Sequence, residues 1–416
     1  MNRVIVSCMI GNALEWYEFT LYGYFASIIG KLFFPSEDPL VSLISAFAVF
    51  AAGFLMRPLG ALLFGHIGDK LGRKKALLIS IYLMAFPTAA IGLLPTYESL
   101  GWIASLILTL IRLLQGVSIG GEFTGSMVFI IEHSPSHKRG ISGSYASLSL
   151  AIGIILGSAT ATAIFKIFTM EEIYQWAWRI PFLLSVLGAV VGSIMRRTLS
   201  DPEVYLKHKE EKKLHTTPLK ELFANHTKSI LHAVSIEMIL AIGFYIVTIF
   251  LITYMKQFLH MDEQAAFQIN TVNTLVFALF IPLGGWLSDI YGRRLVMLPA
   301  TLVYLFSYQL IQWMSTGGIT GAFFAQMIFA ASLGVLFGPI PALLSELFPT
   351  KVRYSALAIA HSLSMSIFGG TAPFLVTYAL KITGNLNSPA YFLVFGGVVS
   401  SLGLFFLKDR FKEDLE

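Results

Sequence analysis

The stretch Gly65-His66-Ile67-Gly68-Asp69-Lys70-Leu71-Gly72-Arg73-Lys74-Lys75 is a short charged turn between two long apolar runs, and it constrains the chain most because it occurs twice. It returns as Gly285-Trp286-Leu287-Ser288-Asp289-Ile290-Tyr291-Gly292-Arg293-Arg294. Gly65 answers Gly285, Asp69 answers Asp289, Gly72 answers Gly292 and Arg73 answers Arg293. A duplicated turn implies duplicated halves. At a membrane surface the pattern has a physical logic: the first glycine allows close helix contact, the second lets the backbone turn, and the basic residues stay in the cytoplasm. The aspartate can pair with a helix terminus or a nearby arginine. One such turn is ordinary in a polytopic protein; two at corresponding places are specific, and these eight residues are candidate gating-loop positions.

A chain of 416 residues that is 56% hydrophobic and 13% charged, with a mean hydropathy of +0.72, is too apolar for a soluble globule. A membrane helix needs about 20 apolar residues. Runs of that kind predict twelve spans, at 5–29, 40–64, 76–95, 102–131, 141–166, 177–195, 229–256, 268–288, 295–314, 319–344, 354–379 and 389–407. The expected fold class is an all-α integral membrane protein. Residues 1–196 form an N-terminal six-helix bundle, 197–227 a charged cytoplasmic linker, and 228–416 a C-terminal six-helix bundle. The N-terminus carries no cleavable signal and reads as the first span. Most Lys and Arg fall on one side; the opposite loops carry only Lys31, Lys166, Lys256 and Lys381. That asymmetry puts both termini in the cytoplasm.

The net charge of +5 does not imply nucleic acid, because the charges sit in loops on alternate sides of apolar runs. The bilayer is the expected surroundings, and no obligate protein partner is evident. Cys8 is the single cysteine, so no internal disulfide forms. Gly116-Val117-Ser118-Ile119-Gly120 matches a hydrolase nucleophile elbow in form, but a mid-membrane helix is the wrong place for a strand-to-helix turn. Close helix packing explains it better, as it does Gly153 with Gly157, Gly188 with Gly192 and Gly334 with Gly338. The chain carries no phosphate-binding loop and no metal-spaced Cys/His cluster. No enzyme, cofactor or metal site is expected; the coupling ion would be a proton.

Ionisable residues at bilayer depth are costly and mark functional sites. Span one holds Asn12, Glu15 and Glu18, with the two carboxylates on one helical face. Neighbouring carboxylates resist joint ionisation, which suits a reversible proton site. Arg112 in span four matches Glu18 in depth, so an ion pair between them is expected as feasible, and Glu122 lies ten residues further in. Arg57 and Arg179 read as anchors near span ends. In the second half Glu237 is the one carboxylate well inside a span. Glu346 reads as part of a gate network with Lys351 and Arg353. His361 titrates in the right range, either as a proton carrier or as a hydrogen bond between helices.

Several stretches resemble the metabolite:proton symporters of the major facilitator superfamily, which include proline/betaine, alpha-ketoglutarate and citrate carriers. They are Gly11-Asn12-Ala13-Leu14-Glu15-Trp16-Tyr17-Glu18-Phe19, Phe54-Leu55-Met56-Arg57-Pro58-Leu59-Gly60, and Arg112-Leu113-Leu114-Gln115-Gly116 running on to Glu122. Trp178-Arg179-Ile180-Pro181-Phe182 and Glu346-Leu347-Phe348-Pro349 continue the likeness. The resemblance implies the major facilitator fold of twelve helices in two six-helix bundles. It also implies alternating access driven by the proton gradient, with Glu15, Glu18, Arg112 and Glu122 at the central site. Glu18 stands where the family has Asp, and His361-Ser362 replaces an aromatic-Asn pair. The expected function is proton-coupled import of a small polar metabolite across a bacterial inner membrane, proline, betaine or a similar zwitterion first. A di- or tricarboxylate substrate is the alternative, efflux of an amphipathic compound stands third, and a non-transporting membrane sensor is the reading from another class.

Overall fold

A computed structural model of the chain describes residues 2–71, 73–120, 122–132, 134–197, 226–349, 353–413 and 415. Side chains are described for these apart from 2–5, 7, 8, 65–71, 73–77, 122, 129, 189, 195–197 and 354. The expected linker therefore lies almost wholly outside the described residues, as do Gly72 and Lys351.

Twelve helical rods account for nearly all of the described chain. The first, α1, is Asn2–Tyr24 with its continuation Ala26–Phe33. Next come α2 (Pro39–Leu55 resuming as Arg57–Leu71), α3 (Arg73–Leu93), α4 (Trp102–Glu132), α5 (Ser136–Ile167) and α6 (Met170–Ile194). The second half holds α7 (Thr227–Gln257), α8 (Glu263–Tyr291), α9 (Arg293–Thr316), α10 (Gly318–Leu347), α11 (Arg353–Leu363 running on to Thr383) and α12 (Ser388–Phe405). Among the described residues ten of these, all but α1 and α3, are long and apolar enough by themselves to cross a membrane.

Local chemistry sets the ends. Asp38 accepts a hydrogen bond from the Leu40 N–H at the start of α2, and Asp262 accepts from Ala265 at the start of α8. The largest departure at a helix start is at α6, which begins at Met170, seven residues before the predicted 177, while α5 and α8 each begin five residues early. Glu171 and Glu172 look like loop charges in the sequence, but Thr169 and Glu172 form a reciprocal capping box that starts the helix.

Within each half α1 packs on α5, α3 on α4, α8 on α10 and α7 on α12. The α1–α5 contact is so close that a Cβ at Gly153 would collide with the Ala13 carbonyl, which accounts for the small-residue stripe of α5. Between the halves α5 meets α8 and α2 meets α11. Two stretches on the far side of this interface widen to π-helical turns, Ile246–Phe250 in α7 and Ser364–Gly370 in α11, a distortion common where helices carry function. The halves touch at both membrane faces, so the conformation is occluded.

Candidate functional site: a central guanidinium and aromatic cluster between two closed gates

The centre is built by side chains that the apolar periodicity turns inward. On α4, Arg112 is fully buried, and its guanidinium lies 4.2 Å from the Phe19 ring, 4.3 Å from Tyr22 and 5.4 Å from Phe50. Nη1 donates to Gln115 Oε1 at 2.6 Å, and Gln115 Nε2 donates to Thr88 Oγ1 at 2.6 Å. Thr88 Oγ1 in turn lies 2.9 Å from Glu18 Oε2. Arg112 and Glu18 therefore do not form the ion pair that equal depth suggested; Gln115 and Thr88 relay between them. Glu15 and Glu18 do share a helical face, and both line a small pocket with Ser80, Met84 and Ser118 inside the first bundle.

Arg57 is the second central cation, and the anchor reading fails for it. Its side chain is 1% exposed and its guanidinium lies 5.6 Å from the Phe54 ring. Helix α2 breaks only briefly at Met56 and resumes as Arg57–Leu71, which places Arg57 in mid-membrane rather than at an end. From α7 of the opposite half, Tyr245 brings its ring to 4.7 Å from Phe54 and 6.4 Å from Trp16, and Trp16 meets Phe244 at 5.1 Å. The Tyr245 hydroxyl sits within electrostatic reach of Arg57, Glu15 and Arg112. Nε and Nη2 of Arg112, and Nε and Nη1 of Arg57, are buried without a hydrogen-bond acceptor among the described residues.

The other expected residues are more dispersed. Asn12 donates to Ser126 and Ser149 at 3.0 and 3.2 Å, tying α1 to α4 and α5 within one half. The side chain of Glu122 lies outside the described residues. Glu237 and His361 meet each other on α7 and α11, away from Arg112. Arg179 keeps its structural role, donating to the Gly92 and Leu94 carbonyls at the end of α3. Gln115, Thr88 and Tyr245 were missed by charge-based reading. Gln115 had a signal, being an amide in an apolar span three residues from Arg112 and so on its face.

The repeated turn is a clasp. Asp289 accepts from the Gly140 N–H at 2.7 Å and the Ile141 N–H at 2.9 Å, capping α5 of the opposite half, and from Arg293 Nη1 at 2.8 Å. Gly285 makes room: a Cβ there would lie 2.6 Å from the Gly140 carbonyl oxygen. Gly292 turns the chain at φ +96°, a conformation that strains other residues. Arg293 also donates to both oxygens of Glu346, at 2.8 and 3.2 Å. Glu346 thus joins Arg293 and Arg139 rather than Arg353, whose guanidinium crosses to Glu132 at 3.1 Å. In the first copy of the turn, the side chains of Gly65, Asp69 and Arg73 lie outside the described residues. At the outer face the halves are joined by Lys381 with Asp38 at 2.7 Å, by Ser158 with Thr271 at 2.6 Å, and by Phe165 stacked on Phe267.

Known proteins share this plan. A family profile described as sugar (and other) transporter matches residues 4–217, and one described as Major Facilitator Superfamily matches residues 233–415. The proline/betaine transporter of Salmonella typhimurium is 34% identical over 97% of this chain and 82% of its own length. The shikimate transporter of Escherichia coli is 30% identical over 98% of this chain and 94% of its own. A crystal structure of a D-xylose–proton symporter superposes with a TM-score of 0.80 at 17% identity, covering 100% of this chain and 99% of that one, a likeness of fold alone. With sequence identity running through both halves and the charged turn duplicated in the sequence, the chain belongs to the major facilitator superfamily, among the relatives of the proline/betaine transporters, and is a multi-pass secondary transporter of the inner membrane.

Proposed function

We propose that the protein imports a small zwitterion such as proline or betaine together with a proton, and that the central cluster binds both. One observation carries the reading: two buried guanidinium groups keep N–H donors without acceptors among the described residues, beside aromatic rings contributed by both halves. Buried donors of this kind call for an anionic acceptor, and a carboxylate suits the planar guanidinium fork. The faces of Trp16, Phe54 and Tyr245 suit the cationic end, since an ammonium over an aromatic face gains about 0.5–2 kcal/mol. A ligand held by Arg57 and Arg112 on one half and Tyr245 on the other draws the halves together, which is the differential contact that alternating access needs.

Glu18 is the proposed proton carrier. Thr88 Oγ1 already receives the Gln115 amide hydrogen and lies 2.8 Å from the Met84 carbonyl as well as 2.9 Å from Glu18. One hydroxyl hydrogen serves one acceptor. With it on Met84, the Glu18 contact is completed by a proton on the carboxyl.

A second reading, a carboxylate without a cationic end, is favoured by the nearness of two guanidinium groups. The test is uptake of labelled proline, betaine, shikimate, alpha-ketoglutarate and citrate into cells lacking their own carriers, with and without a protonophore. Protonophore-sensitive uptake of a zwitterion, abolished by Glu18→Gln, supports the proposal. Selective uptake of a carboxylate replaces the zwitterion with the second reading.

A further inference from the structure

Glu237 and His361 form a buried titratable pair that the central site does not use. Oε1 of Glu237 and Nδ1 of His361 are 2.8 Å apart, the two residues are 0% and 2% exposed, and Oε2 of Glu237 has no hydrogen-bond partner among the described residues. Glu237 lies about ten residues into α7 from its cytoplasmic end, roughly 15 Å of helix, and His361 is at similar depth in α11. The pair therefore sits between the central cluster and the cytoplasmic clasp. Its cover comes from the other half: the Phe123 ring of α4 packs on the imidazole at 5.3 Å between ring centres.

We propose that Glu237 and His361 are a second proton-binding site, distinct from Glu18, which keeps its proton while the cytoplasmic faces are shut and exchanges it with the cytoplasm only when they part. With one proton the pair is net neutral, whichever atom carries it. Loss of that proton leaves a net negative charge on a fully buried pair, a state that low-dielectric surroundings penalise heavily. When α4 withdraws with its half, Phe123 leaves the imidazole and water reaches both groups. The proton then moves from the imidazolium to water, leaving a neutral imidazole beside the carboxylate.

The charged groups on the elements packed around the pair are engaged elsewhere. Arg353 on α11 holds Glu132 of α4 and the Ser345 and Phe348 carbonyls, and Glu346 on α10 is held by Arg293 and Arg139. His232 on α7 meets the Gly403 carbonyl near the end of α12, and Arg57 on α2 lies with Phe54 and Tyr245 at the centre. Glu122, beside Phe123, has its side chain outside the described residues, as do His66, Asp69 and Lys70 of α2. None of the described charges touches Glu237 or His361. The sign follows: the closed state retains the proton, so acid favours closure of the cytoplasmic face and alkali favours its opening.

The proposal rests on alternating access but not on the identity of the substrate, and its test needs no substrate. A single cysteine is placed at Ser144, which is buried on α5 against Gly285, in a Cys8→Ser background, and its labelling by maleimide is followed in inside-out vesicles. Rates are divided at each pH by that of the same cysteine in unfolded protein. The expected result is a rise from pH 6 to pH 8 that approaches tenfold per pH unit, the limit for one linked proton. Glu237→Gln and His361→Gln should each flatten it. The double Glu237→Gln/His361→Gln variant retains an amide–amide hydrogen bond, so its slow labelling at pH 6 should match the parent and persist at pH 8. A pH dependence that survives in the double variant, or an increase of labelling toward acid, overturns the proposal.

Discussion

Asp289→Asn is the sharpest test of the clasp. The carboxylate accepts from the Gly140 and Ile141 N–H groups of the opposite half and from Arg293. An asparagine keeps one acceptor oxygen and turns an amide N–H toward the second backbone donor. Arg293 stays in place because Glu346 holds it through two further bonds. The lost inter-half contact is a hydrogen bond to a charged acceptor, worth about 1.5–3 kcal/mol. The favourable placement of an anion at the α5 N-terminus adds about 0.3–1 kcal/mol. In the open state water replaces both partners, so the closed state alone suffers, by about 2 kcal/mol at the lower end. At about 1.4 kcal/mol per factor of ten, the open population should rise roughly thirtyfold. Labelling of a cysteine at Ser144 from the cytoplasmic side reads that population directly while it is small. Asp262→Asn is the matched control: Asp262 caps α8 within its own half, through Ala265, and should leave labelling unchanged. An Asp289→Asn effect below threefold, or one equalled by Asp262→Asn, would refute the claim that this contact holds the halves together.

The same geometry makes further predictions. Arg112→Lys keeps the charge but loses the planar fork shared with Gln115 and the stack on Phe19 and Tyr22; uptake should show KM raised at least about tenfold with the protein at normal level in the membrane. The segment after Leu407 folds onto the clasp, Asp409 accepting from the Arg294 N–H and the Glu413 carbonyl accepting from Arg139. A stop codon after Leu407 should therefore speed cytoplasmic labelling at Ser144→Cys, and unchanged labelling would deny the tail any part in closure. At the outer face Lys381, with the Leu40 N–H, holds the Asp38 carboxyl below its usual range. A depressed carboxylate stabilises the closed contact at all pH above its ordinary value of about 4 and loses that contribution only as pH falls further. Asp38→Asn should accordingly leave the pH profile of uptake between pH 5 and 8 unchanged in shape.

What could be read in the sequence was what short spacing encodes. The order Gly285, Asp289, Gly292, Arg293 specifies a close approach, a carboxylate one helical turn before an arginine and a backbone reversal, and the structure uses each in that way. Span number and orientation followed from bilayer thickness and the Lys/Arg asymmetry for similar reasons. What escaped depends on the angle at which one helix faces another. Arg57 was misjudged because Arg57-Pro58 reads as a helix end, yet a proline in the first turn of the resumed segment needs no N–H partner and lets α2 continue. The path from Arg112 through Gln115 and Thr88 to Glu18 joins three helices, and depth alone could not tell a relay from an ion pair. Glu237 and His361 are 124 residues apart, so their meeting is a product of tertiary packing that no local pattern announces.

The two faces are closed by different chemistry. At the cytoplasmic face the inter-half contacts are Asp289 on two backbone donors and Arg353 on Glu132, whose side chains are 2% and 38% exposed. The outer face relies on hydroxyls between α5 and α8, an aromatic stack with the buried Lys256 ammonium 4.5 Å over its Phe165 ring, and a Lys381–Asp38 pair whose side chains are 31% and 46% exposed. Exposed pairs contribute about 0–1 kcal/mol, whereas hydrogen bonds to buried charge contribute about 1.5–3 kcal/mol each. The bonds from the Gly140 and Ile141 N–H groups to the Asp289 carboxylate have no counterpart among the described contacts of the outer face. The proposed ligand, bridging Arg57 and Arg112 to Tyr245, would add contacts that exist only when the halves meet at the centre. Opening inward then requires the clasp to part, and with it Phe123 to leave His361. Substrate closure and cytoplasmic release are thus separate steps, acting on contacts about half a membrane apart.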